Sequence, residues 1–183
     1  MKRILALIVV FMVIVGCSDS TIEKVDPSAN SADASSQEQK QEQKGEEPVS
    51  NAPEIFVVGD TVKFDDLHIT LHGVTEVEGA EFFTPSNDKY LLVDLTIENV
   101  GTESEHISTL MQMELMDADS YSYDIALYPD AKGSLDGEVA PGRKMRGEVA
   151  FDVPDSDYYE FIFSNPFTSG QAIWRIERSD IGQ

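Results

Sequence analysis

Residues 90–99, Y-L-L-V-D-L-T-I-E-N, decide the fold. Leu91, Val93, Leu95 and Ile97 alternate with Leu92, Asp94, Thr96 and Glu98, the period of two that puts one apolar row on one face of a strand. β-Branched residues fill the run, and Asn99-Val100-Gly101 stops it. This is the central strand of the chain, and the apolar segments after residue 54 must pack against it.

Working outward, short apolar segments recur at roughly 8 to 14 residues between Gly, Asp, Asn and Pro, the rhythm of an all-β sandwich. The pattern predicts strands near 55–58, 61–64, 67–75, 89–99, 108–117, 121–127, 144–153, 158–163 and 172–177. Asp65-Asp66 reads as a tight turn, with Leu67, Ile69 and Leu71 facing inward after it. Ala140-Pro141-Gly142-Arg143 fits a type II turn, because Pro presets the first central dihedral and Gly accepts a positive second one. Met111, Met113 and Leu115 predict a one-sided strand, and so does the alternation at 144–153. Tyr159, Phe161, Phe163, Trp174 and Ile176 supply the bulky core. After residue 54 no helical period extends beyond single turns.

The front of the chain has another texture. Lys2 and Arg3 precede an apolar run at residues 4–15, and Ile14-Val15-Gly16-Cys17 follows. A charged start, an apolar run and a small residue before a cut are the order of a secretory signal peptide, and the run falls short of the ~20 residues a membrane span needs. The last four residues resemble a bacterial lipobox. That resemblance implies cleavage before Cys17 and diacylglycerol on its sulfur, so the partner of this end is the membrane. Cys17 is the single cysteine, which excludes an intramolecular disulfide and a cysteine-based metal site. Residues 18–53 lack aromatics and cannot bury a core, so residues 17–53 read as a lipid-anchored disordered linker. Such a tether spans ~30 to 35 Å r.m.s.. The predicted division is 1–16 signal peptide, 17–53 linker and 54–183 β-sandwich domain.

Of the 13 basic and 34 acidic residues, 8 basic and 26 acidic fall in 54–183, a net of -18 for the domain. That surface repels nucleic acid, anionic lipid and anionic wall polymers, which excludes DNA or RNA as a partner.

Candidate sites are few. His68 and His72 on one strand start about 13 Å apart, too far to share a zinc ion. His106 lies in the loop after Gly101 with no visible partner. Asp117, Asp119 and Asp124 superficially suggest a calcium loop. An EF-hand counted from Asp117 needs Gly sixth and Glu twelfth, where this chain has Ser122 and Tyr128. A hairpin turn capped by Asp side chains is the better reading. Asp152, Asp155 and Asp157 around Pro154 are read the same way. No G-x-S-x-G elbow is present, and no catalytic residue, metal or cofactor is assigned. Phe82 and Phe83 in a loop, and Tyr121 and Tyr123 along a short strand, either contact a ligand or close the end and outer face of the core. Arg143, Lys144 and Arg146 either meet an anionic partner or guard a strand edge.

The runs V-G-D-T-V-K-F at 58–64, K-Y-L-L-V-D-L-T-I-E-N-V-G at 89–101, M-E-L-M-D-A-D at 113–119 and A-P-G-R-K-M-R-G-E-V-A-F-D-V-P at 140–154 resemble one family. It is a family of uncharacterised domains carried by Gram-positive lipoproteins, similar in fold to secreted mycobacterial immunogenic proteins. The resemblance covers most of residues 56–176 and implies an immunoglobulin-like sandwich. It brings no catalytic residues. Ser120 departs from it, where the family often has Gly. The expected function is a non-catalytic interaction module on the cell surface, held by Cys17 and meeting a protein or wall component. A structural envelope lipoprotein with weak cation binding is the alternative, and a hydrolase with an unrecognised site ranks third.

Overall fold

In the computed structural model, β5 (Lys89–Asn99) takes the central place that its alternation requires. It pairs along its whole length with β4 (Leu67–Val77) on one edge and β11 (Lys144–Val153) on the other, both antiparallel. The structure describes residues 19–26 and 54–182. The lipobox, Cys17 and the 27–53 part of the linker lie outside them.

The first sheet adds β1 (Ile22–Lys24), β3 (Thr61–Phe64) and β9 (Ile125–Ala126), in the order β1-β3-β4-β5-β11-β9. The second sheet runs β2-β13-β12-β7-β8, built from β2 (Ile55–Val57), β13 (Gln171–Glu177), β12 (Tyr158–Ser164), β7 (Met113–Asp117) and β8 (Ser122–Tyr123). β6 (Glu105–Ile107) and β10 (Gly137–Val139) form a separate pair. β14 (Ile181–Gly182) joins β4 in parallel, and β2 joins β13 in parallel, so two short pairings depart from the antiparallel rule.

Between the sheets, Leu91, Val93, Leu95 and Ile97 are fully buried in one cluster with Phe56, Phe161 and Trp174. Phe64 meets Phe163 edge-on at 5.2 Å and Phe151 meets Phe161 at 6.2 Å, which locks one sheet to the other. Each such side chain contributes about 1.5 to 3 kcal/mol of transfer free energy. The fold is an antiparallel, immunoglobulin-like β-sandwich.

Four local readings change. At 108–117 the expected strand begins only at Met113: Thr109–Gln112 is one helical turn, α1, and Met111 points out of the core. The Met111-Met113 alternation was therefore coincidental. At 121–127 the chain makes two short strands, since β8 pairs with β7 and β9 pairs with β11. The segment crosses from one sheet to the other at Asp124. β5 is buried on both faces at its start, where Tyr90 and Leu92 lie on the side expected to meet solvent. Tyr128 covers Tyr90 with ring centroids 5.3 Å apart.

The fourth change concerns the linker, whose first residues add a strand. β1 pairs antiparallel with the edge of β3, Ile22 opposite Phe64 and Lys24 opposite Val62. An edge strand presents unpaired N–H and C=O groups, and Thr21 and Val25 take up two of them through Asp65 and Thr61. Ile22 packs on the core and Lys24 pairs with Asp60 at 2.7 Å. A three-residue strand in a polar segment carries too little pattern to be read from sequence.

The turns follow their chemistry. Gly142 takes φ 69 and Arg143 N–H donates to Ala140 C=O at 3.0 Å, a type II turn. Ser120, where the family often has Gly, takes φ 67.

Candidate functional site

The sandwich has two loop-bearing ends, and each collects chemistry. At one end, reached by the carboxyl end of β4, Lys89 is the organising side chain. Its ammonium is nearly buried and donates to Glu76 at 2.8 Å and to Asp155 at 2.5 Å. Burial opposes its charge, but Asp155 and Glu76 outweigh that, and its pKa lies above the ordinary lysine value. Lys89 in turn holds the Asp155 carboxyl below the usual carboxylate range. A lysine so held stays protonated, which suits a clamp between β4 and the loop after β11 and not a nucleophile. The sequence reading missed it, although a lysine opening an apolar strand was the available signal.

Beside it, Asp117 is buried at the β7–β8 turn. One carboxylate oxygen accepts from the N–H groups of Asp119 and Tyr121, each at 2.9 Å, and the other accepts from the Tyr123 hydroxyl at 2.8 Å. This is the Asp-capped turn read from the sequence. Three donors thus converge on the one carboxylate. Burial and the Asp117 carboxylate push the Tyr123 hydroxyl up to about 12.

The sign of the consequence is fixed by that rise. Neutral Tyr123 stabilises the fold fully below pH about 10, and the contribution is lost as pH climbs through the folded value. Tyr123→Phe is expected to cost about 1 to 2 kcal/mol at pH 8. The difference from the parent protein should shrink by pH 12 in urea melts at the two pH values, and a constant difference would refute the assignment.

Of the four candidate contact residues, two are presented and two are tied in. Phe82 is 91% exposed at the tip of a tight turn, while Phe83 is half-buried. Phe83 exchanges both backbone hydrogen bonds with Ala80, at 2.9 and 3.0 Å. Asp152 fixes the rest of this loop by accepting from the N–H groups of Ser86 and Asn87 at 2.6 and 2.9 Å. Tyr121 is 67% exposed, and Tyr123 is held by Asp117. All four lie at the same end. Tyr121 and Tyr123 share a cleft, which they line with Asp117, Asp155 and Arg178.

The remaining sequence candidates separate. His72 is the extra residue of a β-bulge and hydrogen-bonds Thr96 at 2.8 Å, while His68 stands across from Glu98. Arg146 forms a two-pronged pair with Asp94, at 3.0 and 2.6 Å, which lowers the Asp94 carboxyl. Arg143 and Lys144 remain exposed near the opposite end. Among the described residues, no three His, Cys, Asp or Glu side chains come together as a metal-holding group.

That opposite end is built by the Asp65-Asp66 turn, α1 and the loop at 165–170. It holds a cleft of about 330 Å³ with Phe64, Leu67 and Phe163 in its lining. Glu105 and His106 stand at its rim, and burial, followed by Asp66, Asp65 and Glu103, pushes the Glu105 carboxyl up. Met111 and Phe167 form its lip.

Known proteins match the fold more than any activity. The yjhA protein of Bacillus subtilis is similar at 18% identity with a TM-score of 0.56, covering 67% of this chain and 100% of that one. The B. subtilis lipoprotein candidate ycdA is similar at 17% identity and a TM-score of 0.52, covering 63% of this chain and 38% of that one. The secreted protein MPT63 of Mycobacterium tuberculosis is similar at 16% identity with a TM-score of 0.49, covering 70% and 99%. No curated protein matches the chain. The model of one family, a domain of unknown function, matches residues 56–173, nearly the whole sandwich just described, and this chain belongs to that family, DUF4352.

Proposed function

We propose that this chain is a lipid-anchored, non-catalytic binding module of the cell surface, whose partner meets the end that carries Phe82. The observation that supports this reading most is Phe82 itself. A bulky residue at φ 69 sits in the left-handed region, and its ring is 91% exposed, so neither backbone nor side chain gains from folding. Strain of this kind on a loop that Asp152 holds rigid is characteristic of a contact residue, and an exposed aromatic on a rigid loop binds at small entropic cost. Ile14-Val15-Gly16-Cys17 supports the anchor, and the likeness to ycdA accords with it.

Phe82→Asn separates binding from folding, because Asn tolerates the left-handed conformation. The variant is expected to be more stable by up to about 1 kcal/mol in denaturant melts. A loss of stability would mean that the ring serves the fold. A photo-crosslinking residue at position 82 in intact cells should give a discrete adduct that the same residue at exposed Glu138 does not. Equal labelling at both positions would refute the proposed surface. Cys17→Ala is expected to move the protein out of the membrane fraction or leave its leader uncleaved. Unchanged processing and membrane retention would refute the anchor.

A further inference from the structure

The docking of residues 19–26 onto the domain changes where a membrane anchor would hold it. Asp19 and Ser20 lie against the 165–170 loop. Asp19 bridges to Ser169, Ser20 N–H donates to Ser169 C=O at 2.8 Å, and the Ser20 and Thr168 hydroxyls meet at 2.5 Å. Thr21 and the Asp65 turn exchange two hydrogen bonds, at 2.7 and 2.8 Å. The chain enters the fold at the Asp65 end and runs away from it, since Ile22 faces Phe64 beside the turn and Lys24 faces Val62 further along. Cys17 is two residues before Asp19, so extended chain separates them by at most about 7 Å. The slack of a long tether is removed, because residues 27–53 follow the docked strand in the chain and do not lie between it and Cys17.

The same end exposes a group of apolar side chains. Phe167 is 86% exposed, Leu110 69% and Met111 56%. Leu110 and Met111 are consecutive on α1, and Met111 and Phe167 form the lip of one cleft. Water is a poor environment for all three. From the proposed anchor and this placement, we infer that the Asp65 end lies against the bilayer, with Leu110, Met111 and Phe167 touching the lipid. The inference rests on the anchor reading above.

Charge at this end is acidic on balance. Arg143 and Lys144 are exposed there, while Asp19, Asp65, Asp66, Glu103 and Glu105 outnumber them and oppose contact with anionic headgroups. Contact therefore depends on the apolar group and on the high effective concentration of a short covalent link. The orientation also sets what is displayed. β4 leads from the Asp65-Asp66 turn through 11 residues, about 35 Å of strand, to the loop that carries Phe82, so that loop points away from the bilayer.

The test uses the lipidated full-length protein in vesicles of phosphatidylglycerol and phosphatidylethanolamine. The lipid caps the Cys17 thiol, so an introduced cysteine is the one labelling site. Phe167→Cys, Leu110→Cys and Phe82→Cys replace exposed side chains, and each would carry an environment-sensitive fluorophore. Labels at 167 and 110 should shift to the blue and be quenched several-fold more by spin-labelled lipid than the label at 82. Protein that floats with the vesicles but shows equal quenching at 82, 110 and 167 overturns this orientation and leaves the anchor standing. Protein that does not float overturns both.

Discussion

Trp174→Ala is expected to remove about 3 to 5 kcal/mol, enough to leave much of the domain unfolded at 37 °C. Trp174 is fully buried, with its ring 5.8 Å from Phe56 and 5.9 Å from Phe161. Its indole N–H donates to the Asp60 carbonyl at 3.3 Å. Alanine opens a large cavity at the point where β2, β12 and β13 of the second sheet meet the first, and rigid strands cannot collapse into it. Trp174→Phe keeps most of the packing and loses the donor, so it should cost about 1 to 2 kcal/mol. Equilibrium urea melts of the two variants separate the terms. If Trp174→Ala costs no more than Trp174→Phe, the ring does not organise the core.

Asn99→Leu should cost about 3 kcal/mol although it adds apolar volume to a buried site. Asn99 has no exposed surface. Its amide nitrogen donates to the Glu103 and Val139 carbonyls at 2.7 and 2.8 Å, and its amide oxygen accepts from Gly101 N–H at 2.9 Å. Leucine fills the space but leaves those backbone groups without partners, and each costs about 1 to 3 kcal/mol where water cannot reach. The damage should be local as well as global. Asn99 ties β10 and the 101–103 turn to β5, so hydrogen exchange should lose protection first in the β6–β10 pair. Uniform loss across both sheets would show that Asn99 acts only through general packing.

Asn99 also illustrates what pattern can and cannot convey. In sequence, Asn99-Val100-Gly101 reads as a stop signal, and it is one, since β5 ends at Asn99. Nothing in the run shows that its side chain reaches 40 residues onward to Val139. The same limit applies at the candidate sites. The Asp117 turn was legible because its acceptor and donors lie within six residues. Lys89 was not, because its partners come from elsewhere in the chain, Glu76 from β4 and Asp155 from the loop after β11. Phe82 and Phe83 were found together as neighbours in a loop, and only the tight turn at Ala80 presents one and half-buries the other.

By itself the sequence determined the strands with a strong local period, the turns at Asp65-Asp66 and Pro141-Gly142, the β-sandwich fold and the acidic surface. These follow from short-range rules: alternation of side chains along a strand and the dihedral preferences of turn residues. Only the tertiary structure decided that Ile22–Lys24 completes a sheet edge, that residues 121–127 cross between sheets and that α1 interrupts an apparent strand. Those outcomes depend on which backbone edges are left unpaired and which core positions are already filled, quantities set by segments far apart in the chain.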